Sequence, residues 1–421
     1  MNILFINPFQ YLNINRFMHR IFPVANLTPA YIASLIPEEH TVSIIDEAKQ
    51  KIDYDTPADL ICISTITVNA KRAYAVADRF RSRGKKVILG GSHASALPEE
   101  AKQHCDAVAI GNAETMIDRI IKDAENNRLQ PYYHNKIPET IPAKVTGTVR
   151  TRWQTSILAS RGCELRCSFC SSQNVFGKFY LQRHLDPVLR DIDNLKTRYV
   201  NFLDYNFYGA SPQANAFYDR ILDALSRKDI SWLAQVRLQV LTDEVLEKFR
   251  QSGCAGFLIG FESIHSGNSR DVGKRVDAEY FRQQIARIHD KGLGVVGSFI
   301  FGFDEDTPET IDQTIEFCIQ SRMELAAFSV LTPYPGTKCY DDLAKEGRIL
   351  TRNWDLYDSD RVVFQPKNFT PEELETHLIQ ATKRFYTANS IYKRLKFGMN
   401  YNTIKLYLLP NLLRKTAMTF L

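Results

Sequence analysis

Short runs of aliphatic and β-branched residues alternate with stretches of helical periodicity along most of the chain. "NILFINP" (2–8), "TVSIID" (41–46), "DLICIST" (59–65), "KVILGG" (86–91) and "AVAIG" (107–111) predict buried strands bounded by turn residues. Between them, "NLTPAYIASLIP", "TVNAKRAYAVADRFRSRG" and "LPEEAKQHC" predict helices, the second closed by Gly84 in the manner of a C-cap. Strand and helix in strict alternation imply a parallel, doubly wound, Rossmann-like α/β sheet.

The stretch 128–150 has three prolines and little periodicity, so residues 131–150 are expected to be a linker. Alternation then resumes with "TSILAS", "YVNFLD", "SWLAQV", "GFLIGFES", "VVGSFIFGF" and "AAFSVLTPYPGT". Six successive β/α units imply a second, curved parallel sheet, a partial (β/α)6 barrel with its chemistry at the strands' C-terminal ends. Beyond residue 345 the pattern is mainly helical, and "TPEELETHLIQATKRFYTANSIYKRL" predicts one long helix with Thr370 as N-cap and Pro371 as its first residue. The expected division is 1–130, 131–150, 151–345 and 346–421.

Composition adds limits. With 421 residues, 44% hydrophobic and 24% charged, the chain reads as an ordinary soluble globular protein. No run of eighteen apolar residues occurs, and "MNILFINPF" lacks a basic region ahead of its apolar stretch, so neither a spanning helix nor a signal peptide is expected. Eight cysteines without a secretory signal argue for a reducing compartment, hence a cytoplasmic location. The net charge of +5 belongs to the tail: residues 391–421 hold six Lys and Arg and no acid, which leaves 47 positive and 48 negative side chains in residues 1–390. Such a body does not suit a nucleic-acid binder.

Candidate chemistry concentrates in "SRGCELRCSFCSSQ", where Cys163, Cys167 and Cys170 follow the first strand of the second unit. A structural zinc site is closed by four ligands, whereas a cubane iron–sulfur cluster held by three thiolates keeps one iron open to a small molecule. From spacing alone, zinc completed by a distant residue such as His184, or a group of buried thiols, stays open.

The spacing C-x3-C-x2-C, with aromatic Phe169 before its last cysteine, resembles the radical S-adenosylmethionine superfamily. That resemblance implies a 4Fe-4S cluster on Cys163, Cys167 and Cys170, with the amino and carboxylate groups of S-adenosylmethionine on the open iron. Other segments are similar to the family in the same order. "FLDYNF" brings Asp204 and Asn206 as amino-group contacts, "QVRL" brings Arg237 as a carboxylate or ribose contact, "GFES" brings Glu262 and Ser263, and "GSFIFGFDEDT" brings the adenine-holding backbone from Gly297 to Gly302.

In the first unit, "STITVN", "GGSHAS" and "GNAE" are loops rich in small polar residues, placed where an open α/β sheet binds ligands. No G-x-G-x-x-G follows the first strand, which disfavours a dinucleotide. An N-terminal unit of this kind ahead of the cysteine motif resembles the cobalamin-dependent branch of the superfamily, with its closest likeness to the group that includes the hopanoid methylases. Cobalamin contacts are then expected from Ser64, Thr65, Gly90, Gly91, Ser92, Gly111 and Glu114. Two departures stand out: D-x-H-x-x-G is absent, so cobalamin is expected without histidine ligation, and Tyr205 stands where the group commonly has a second Asp. His93 reads as a hydrogen-bonding or surface residue, and Cys62, Cys105, Cys254, Cys318 and Cys339 as buried thiols or bystanders.

The resemblance implies a methyltransferase acting on an unactivated carbon of a small-molecule or lipid substrate. It would use a 5′-deoxyadenosyl radical, methylcobalamin and an external reductant of flavodoxin or ferredoxin type, with no nucleic acid. The same cofactors also serve non-methylating cyclisation or ring rearrangement, and a non-catalytic cobalamin sensor or carrier would need only the first unit. The basic, apolar tail is expected either to pack on the protein or to make peripheral contact with anionic lipid.

Overall fold

The computed structural model describes residues 1–9, 27–135, 141–143, 145–151, 154–177, 179–272, 276–395, 407–408, 410–412 and 414. The first sheet comprises β1 (Asn2–Asn7), β2 (Thr41–Asp46), β3 (Leu60–Ser64), β4 (Lys86–Gly90), β5 (Ala107–Ile110) and β6 (Tyr132–His134). All pairings are parallel, in the order β2-β1-β3-β4-β5-β6. Neighbouring side chains of a strand point to opposite faces, and both faces are covered: Leu4 and Ile6 belong to one core, Ile3 and Phe5 to the other. This double burial explains the unbroken hydrophobic runs. The edge strand β2 departs from the expected burial, since it pairs on one side only and leaves Ile44 38% exposed.

The described residues of the stretch expected to be a linker include two strands. They supply β6 to the first sheet and β7 (Thr148–Arg150) to the second, where β7 runs antiparallel to β8 (Gln154–Ile157). Three-residue edge strands are too short to show alternation among prolines. Arg183 stitches the same stretch down, donating to the carbonyls of Val145 and Leu158 and to Asp191 at 3.3, 2.9 and 2.8 Å.

After β8 the chain forms an antiparallel hairpin, β9 (Ser160–Gly162) with β10 (Tyr180–Gln182), around the cysteine loop. The barrel strands continue as β11 (Tyr199–Phe202), β12 (Ser231–Gln235), β13 (Cys254–Glu262), β14 (Gly294–Phe301) and β15 (Leu325–Val330). From β8 to β15 these pair in parallel, an open six-strand arc built from the six segments read in the sequence.

The C-terminal region ties the two units together. The turn Trp354–Leu356 and the residues after it place Trp354, Tyr357 and Val363 in the core of the first sheet. Thr370 caps the helix Pro371–Phe385 as expected, with Glu373 closing the capping box. The single long helix is instead two, because the chain turns at Tyr386–Thr387 before Ala388–Leu395. The described part of the tail packs against the N-terminal ends of the barrel strands, where the buried Tyr407 hydroxyl reaches the Ala255 carbonyl at 3.2 Å. The helix Ala388–Leu395 joins this base through Arg394, which bonds Asn411 at 2.9 Å. No helix among the described residues is long and apolar enough to cross a membrane.

Candidate functional site

Cys163, Cys167 and Cys170 occupy the loop after β9, at the C-terminal mouth of the barrel; none of the three is in a disulfide, and all are half-buried. Gly162 makes the entry turn with φ +82, and a Cβ there would lie 1.8 Å from the Phe179 carbonyl oxygen, so the hairpin closes only around glycine. The loop is braced by Cys170 N–H on the Cys167 carbonyl at 3.2 Å and by the Cys170 thiol against Ser172 Oγ at 3.0 Å. Phe169 meets Phe303 edge-on at 6.2 Å, linking the loop to the end of β14. Among the described residues no three His, Cys, Asp or Glu side chains converge tightly enough to hold a metal ion by themselves. His184 is exposed and leaves the hairpin at the end opposite Cys163, because Tyr180 pairs Gly162 while Gln182 pairs Ser160. This separation disfavours it as a fourth zinc ligand.

Beside the loop lies a polar group that the sequence reveals only in part. Glu164, between the first two cysteines, accepts from Asn206 Nδ2 at 3.1 Å and pairs with Arg237 at 2.6 Å. Asn206 Oδ1, Arg237 Nε and Glu164 Oε2 are buried without hydrogen-bond partners among the described residues. Unfilled buried donors and acceptors of both kinds suit a zwitterion, whose ammonium and carboxylate would complete them. Glu164 was absent from the sequence candidates; its place inside the cysteine spacing was the available signal.

Asp204 behaves differently from expectation. Its carboxylate is 1% exposed and accepts from Ala159 N–H at 3.0 Å, Ser160 Oγ at 2.7 Å and the Tyr218 hydroxyl at 2.8 Å. With its acceptors used by Ala159, Ser160 and Tyr218, Asp204 supports the cysteine loop instead of lining the site. Burial pushes its carboxyl up to about 6.

At the end of β13, Glu262 adopts φ +64, and Ser263 Oγ accepts from Asn268 Nδ2 at 2.9 Å. The same amide donates to Asp306 at 2.6 Å, and Asp306 in turn accepts from the Gly302 and Phe303 N–H groups at 2.8 and 3.0 Å. Ser263 therefore helps to hold the β14 turn in place. Gly302, at φ +101, makes that turn. Gly297 lies inside β14, where a Cβ would meet Phe299 and the Met323 sulfur at 2.7 and 2.8 Å, so core packing already accounts for it.

In the first unit, Ser64 ends β3, and Ser92 opens the short helix Ser92–Ala96 beyond the Gly90–Gly91 turn. Thr65 is fully buried; its hydroxyl donates to the Gly90 carbonyl at 2.8 Å and accepts from Ala94 N–H at 3.1 Å. It braces the turn. Gly91, at φ +103, lies so close to Thr65 that a Cβ would sit 2.4 Å from its carbonyl oxygen. These strand ends, with Gly111, Asn112 and Arg161, border a largely apolar cavity of about 100 Å³. Asn112 Oδ1, on the cavity lining, and Glu114 Oε2, two residues further on, are buried without partners among the described residues. The primary amides of a corrin ring would supply the matching donors.

His93 points inward. It is fully buried, 3.3 Å from Thr67 Oγ1 and 3.2 Å from Glu100, with its ring edge-on to Trp354 at 5.2 Å. Cys62, Cys105, Cys254 and Cys318 are buried thiols. Cys339 is nearer the chemistry than its sequence position suggests, because its N–H donates to the Ser168 carbonyl at 2.9 Å.

One ion pair joins the two halves of the site. Arg161, two residues before Cys163, pairs with Glu114 on the loop after β5, and the Tyr31 hydroxyl donates to the same Glu114 oxygen at 2.8 Å. Burial works against the charge on Arg161, and Glu114 and Tyr31 together more than restore it. The guanidinium also lies over the rings of Tyr31 and Phe176, at 4.5 and 4.7 Å.

Residues 157–318 match the Radical SAM superfamily model. The chain is 29% identical over 386 residues to a bacteriochlorophyllide d C-12(1)-methyltransferase of Chlorobaculum tepidum, covering 87% of this chain and 83% of that one. It is 23% identical to a hopanoid C-2 methylase of Rhodopseudomonas palustris, covering 76% and 64%. Among solved structures, the cobalamin-dependent S-adenosylmethionine radical enzyme OxsB, with aqua-cobalamin and S-adenosylmethionine bound, superposes with a TM-score of 0.69 at 14% identity, covering 99% of this chain and 72% of that one. This is a likeness of fold across both units.

Proposed function

We propose that the chain, whose residues 157–318 match the Radical SAM superfamily model, belongs to the cobalamin-dependent branch of that superfamily and is a methyltransferase acting on an unactivated carbon of a small-molecule or lipid substrate. The observation that carries this reading is the meeting of two incomplete polar sites: the Glu164–Asn206–Arg237 group beside the cysteine loop, and the Asn112–Glu114 loop of the first unit. The names of the relatives, a bacteriochlorophyllide methyltransferase and a hopanoid methylase, support the reaction class.

In this reading Cys163, Cys167 and Cys170 hold the 4Fe-4S cluster. Arg237 and Asn206 orient the methionyl group of S-adenosylmethionine, and Gly302 presents backbone at the adenine. Gly90, Gly91, Ser92, Gly111, Asn112 and Glu114 hold cobalamin. When bound, the cluster supplies the electron that cleaves S-adenosylmethionine, and cobalamin carries the methyl group. The chain's own residues would fix these groups in mutual register, and Arg161 and Tyr205 pack on Phe176 beside the cysteine loop.

Two further readings concern surroundings. An external reductant of flavodoxin or ferredoxin type and a cytoplasmic location fit the cluster chemistry and eight cysteines that form no disulfide. Leu408 and Leu412, 36% and 45% exposed on a tail segment whose Tyr407 and Asn411 are buried, favour peripheral contact with anionic lipid. Flotation with anionic vesicles checks this, and equal flotation with neutral vesicles overturns it.

The test of function is anaerobic reconstitution with iron, sulfide and hydroxocobalamin, followed by reaction with S-adenosylmethionine and reductant. About four irons and one cobalt per chain, with 5′-deoxyadenosine and S-adenosylhomocysteine both formed, are expected. Stoichiometric zinc without S-adenosylmethionine cleavage overturns the reading.

A further inference from the structure

The Arg161–Glu114 pair connects segments that belong to different cofactors. Glu114 lies on the loop after β5, beside Asn112 and the cavity of the first unit, whereas Arg161 sits in β9 two residues ahead of Cys163. Both side chains are removed from solvent, at 17% and 2% exposure. One Glu114 oxygen serves Arg161 and Tyr31, while the other, Oε2, is buried and unfilled among the described residues. A single carboxylate therefore holds Arg161, itself on the cavity wall, with one oxygen, and keeps the other unfilled next in sequence to the Asn112–Ala113 lining of the cavity. Arg161 has little freedom to adjust independently, since it is sandwiched against Tyr31 and Phe176, and Phe176 ends the short helix Gln173–Phe176 just beyond the cysteines.

We propose that Arg161 is a positioning residue which, through Glu114 and Tyr31, couples occupancy of the first-unit cofactor site to the ordering of the cysteine loop. The inference rests on the reading that this site takes cobalamin. Cobalamin that fills Glu114 Oε2 fixes the carboxylate, the carboxylate fixes Arg161, and the hairpin carrying Cys163 loses freedom. By linkage the effect is reciprocal, so an ordered cysteine loop raises cobalamin affinity by the same factor.

The experiment is amide hydrogen exchange of the full chain, cluster-free, with and without hydroxocobalamin, read on peptides spanning 160–176, with binding followed separately by absorbance. In the unmodified chain hydroxocobalamin is expected to slow exchange there about tenfold. Arg161→Met is expected to bind hydroxocobalamin but lose the slowing, and Arg161→Lys, which keeps the charge, to regain part of it. If Arg161→Met fails to fold, Tyr31→Phe carries the test, with the slowing reduced. Equal slowing in every variant overturns the coupling while leaving the functional reading intact. Absence of hydroxocobalamin binding to the unmodified chain overturns both.

Discussion

The guanidinium of Arg237, from the end of β12, stands 2.6 Å from the carboxylate of Glu164, inside the cysteine spacing. A charge-assisted contact of this kind contributes about 1.5–3 kcal/mol, and Arg237 Nε remains to be filled beside it. Arg237→Ala is expected to raise the dissociation constant for S-adenosylmethionine by roughly ten- to a hundredfold while iron content is retained. Arg237→Lys should recover little, because a point charge does not replace a two-sided fork. Isothermal titration of the cluster-loaded chain decides it, and unchanged affinity removes Arg237 from the site.

Asp204 makes a contrasting prediction, since three donors converge on a carboxylate that is 1% exposed. Asp204→Ala leaves Ala159 N–H and the hydroxyls of Ser160 and Tyr218 without their acceptor, and should destabilise the chain by about 2–4 kcal/mol. Chemical denaturation measures this. A loss of S-adenosylmethionine affinity with no loss of stability would instead restore Asp204 to the binding surface.

These two residues mark what the sequence made legible. The strand ends were legible because hydrophobic runs end where turn residues begin, whereas Asp204, Asn206, Arg237 and Glu262 on them stood out only through the resemblance of their segments to the radical S-adenosylmethionine superfamily. Which side a group faces was not legible. Asp204 turned under the hairpin and Asn206 turned into the site, although only one residue separates them. The Arg161–Glu114 pair was equally hidden, because contact between residues 47 apart depends on how two sheets dock. The edge strands β6 and β7 were lost among prolines for want of length, and the tail's burial depends on Tyr407 meeting the barrel base around Gly294 and Gly256.

His93 and Trp354 provide a test of the first unit. Glu100 Oε1 accepts from Trp354 Nε1 at 2.9 Å and from the Tyr74 hydroxyl at 3.0 Å, and lies 3.2 Å from His93 Nε2. A histidine held this way is not offered to cobalt. His93→Gln should lower thermal stability while leaving the electron paramagnetic resonance spectrum of reduced bound cobalamin unchanged. Trp354→Ala, which empties a core position, should cost about 3–5 kcal/mol and loosen the C-terminal region from the first sheet. A changed cobalt spectrum in His93→Gln would make His93 a ligand.

Asp360 gives the chain a pH dependence that can be isolated from catalysis. Burial, then the neighbouring charge of Asp358, pushes its carboxyl from the ordinary range up to about 6. The folded state thus holds this proton more tightly than the unfolded chain does. The resulting stabilisation is complete below the unfolded value near 3.9 and is lost as pH rises through about 6. Asp360→Asn removes the titration. At pH 7 the variant should be more stable than the parent by about 1–2 kcal/mol, a figure reduced from the full shift for partial solvent access, and at pH 4 the difference should vanish. Denaturant melts at both pH values read it directly. A variant equally stable or less stable at pH 7 would mean that the Asp360 carboxylate makes a favourable contact when charged, with Arg361 or Arg414 the cations beside it.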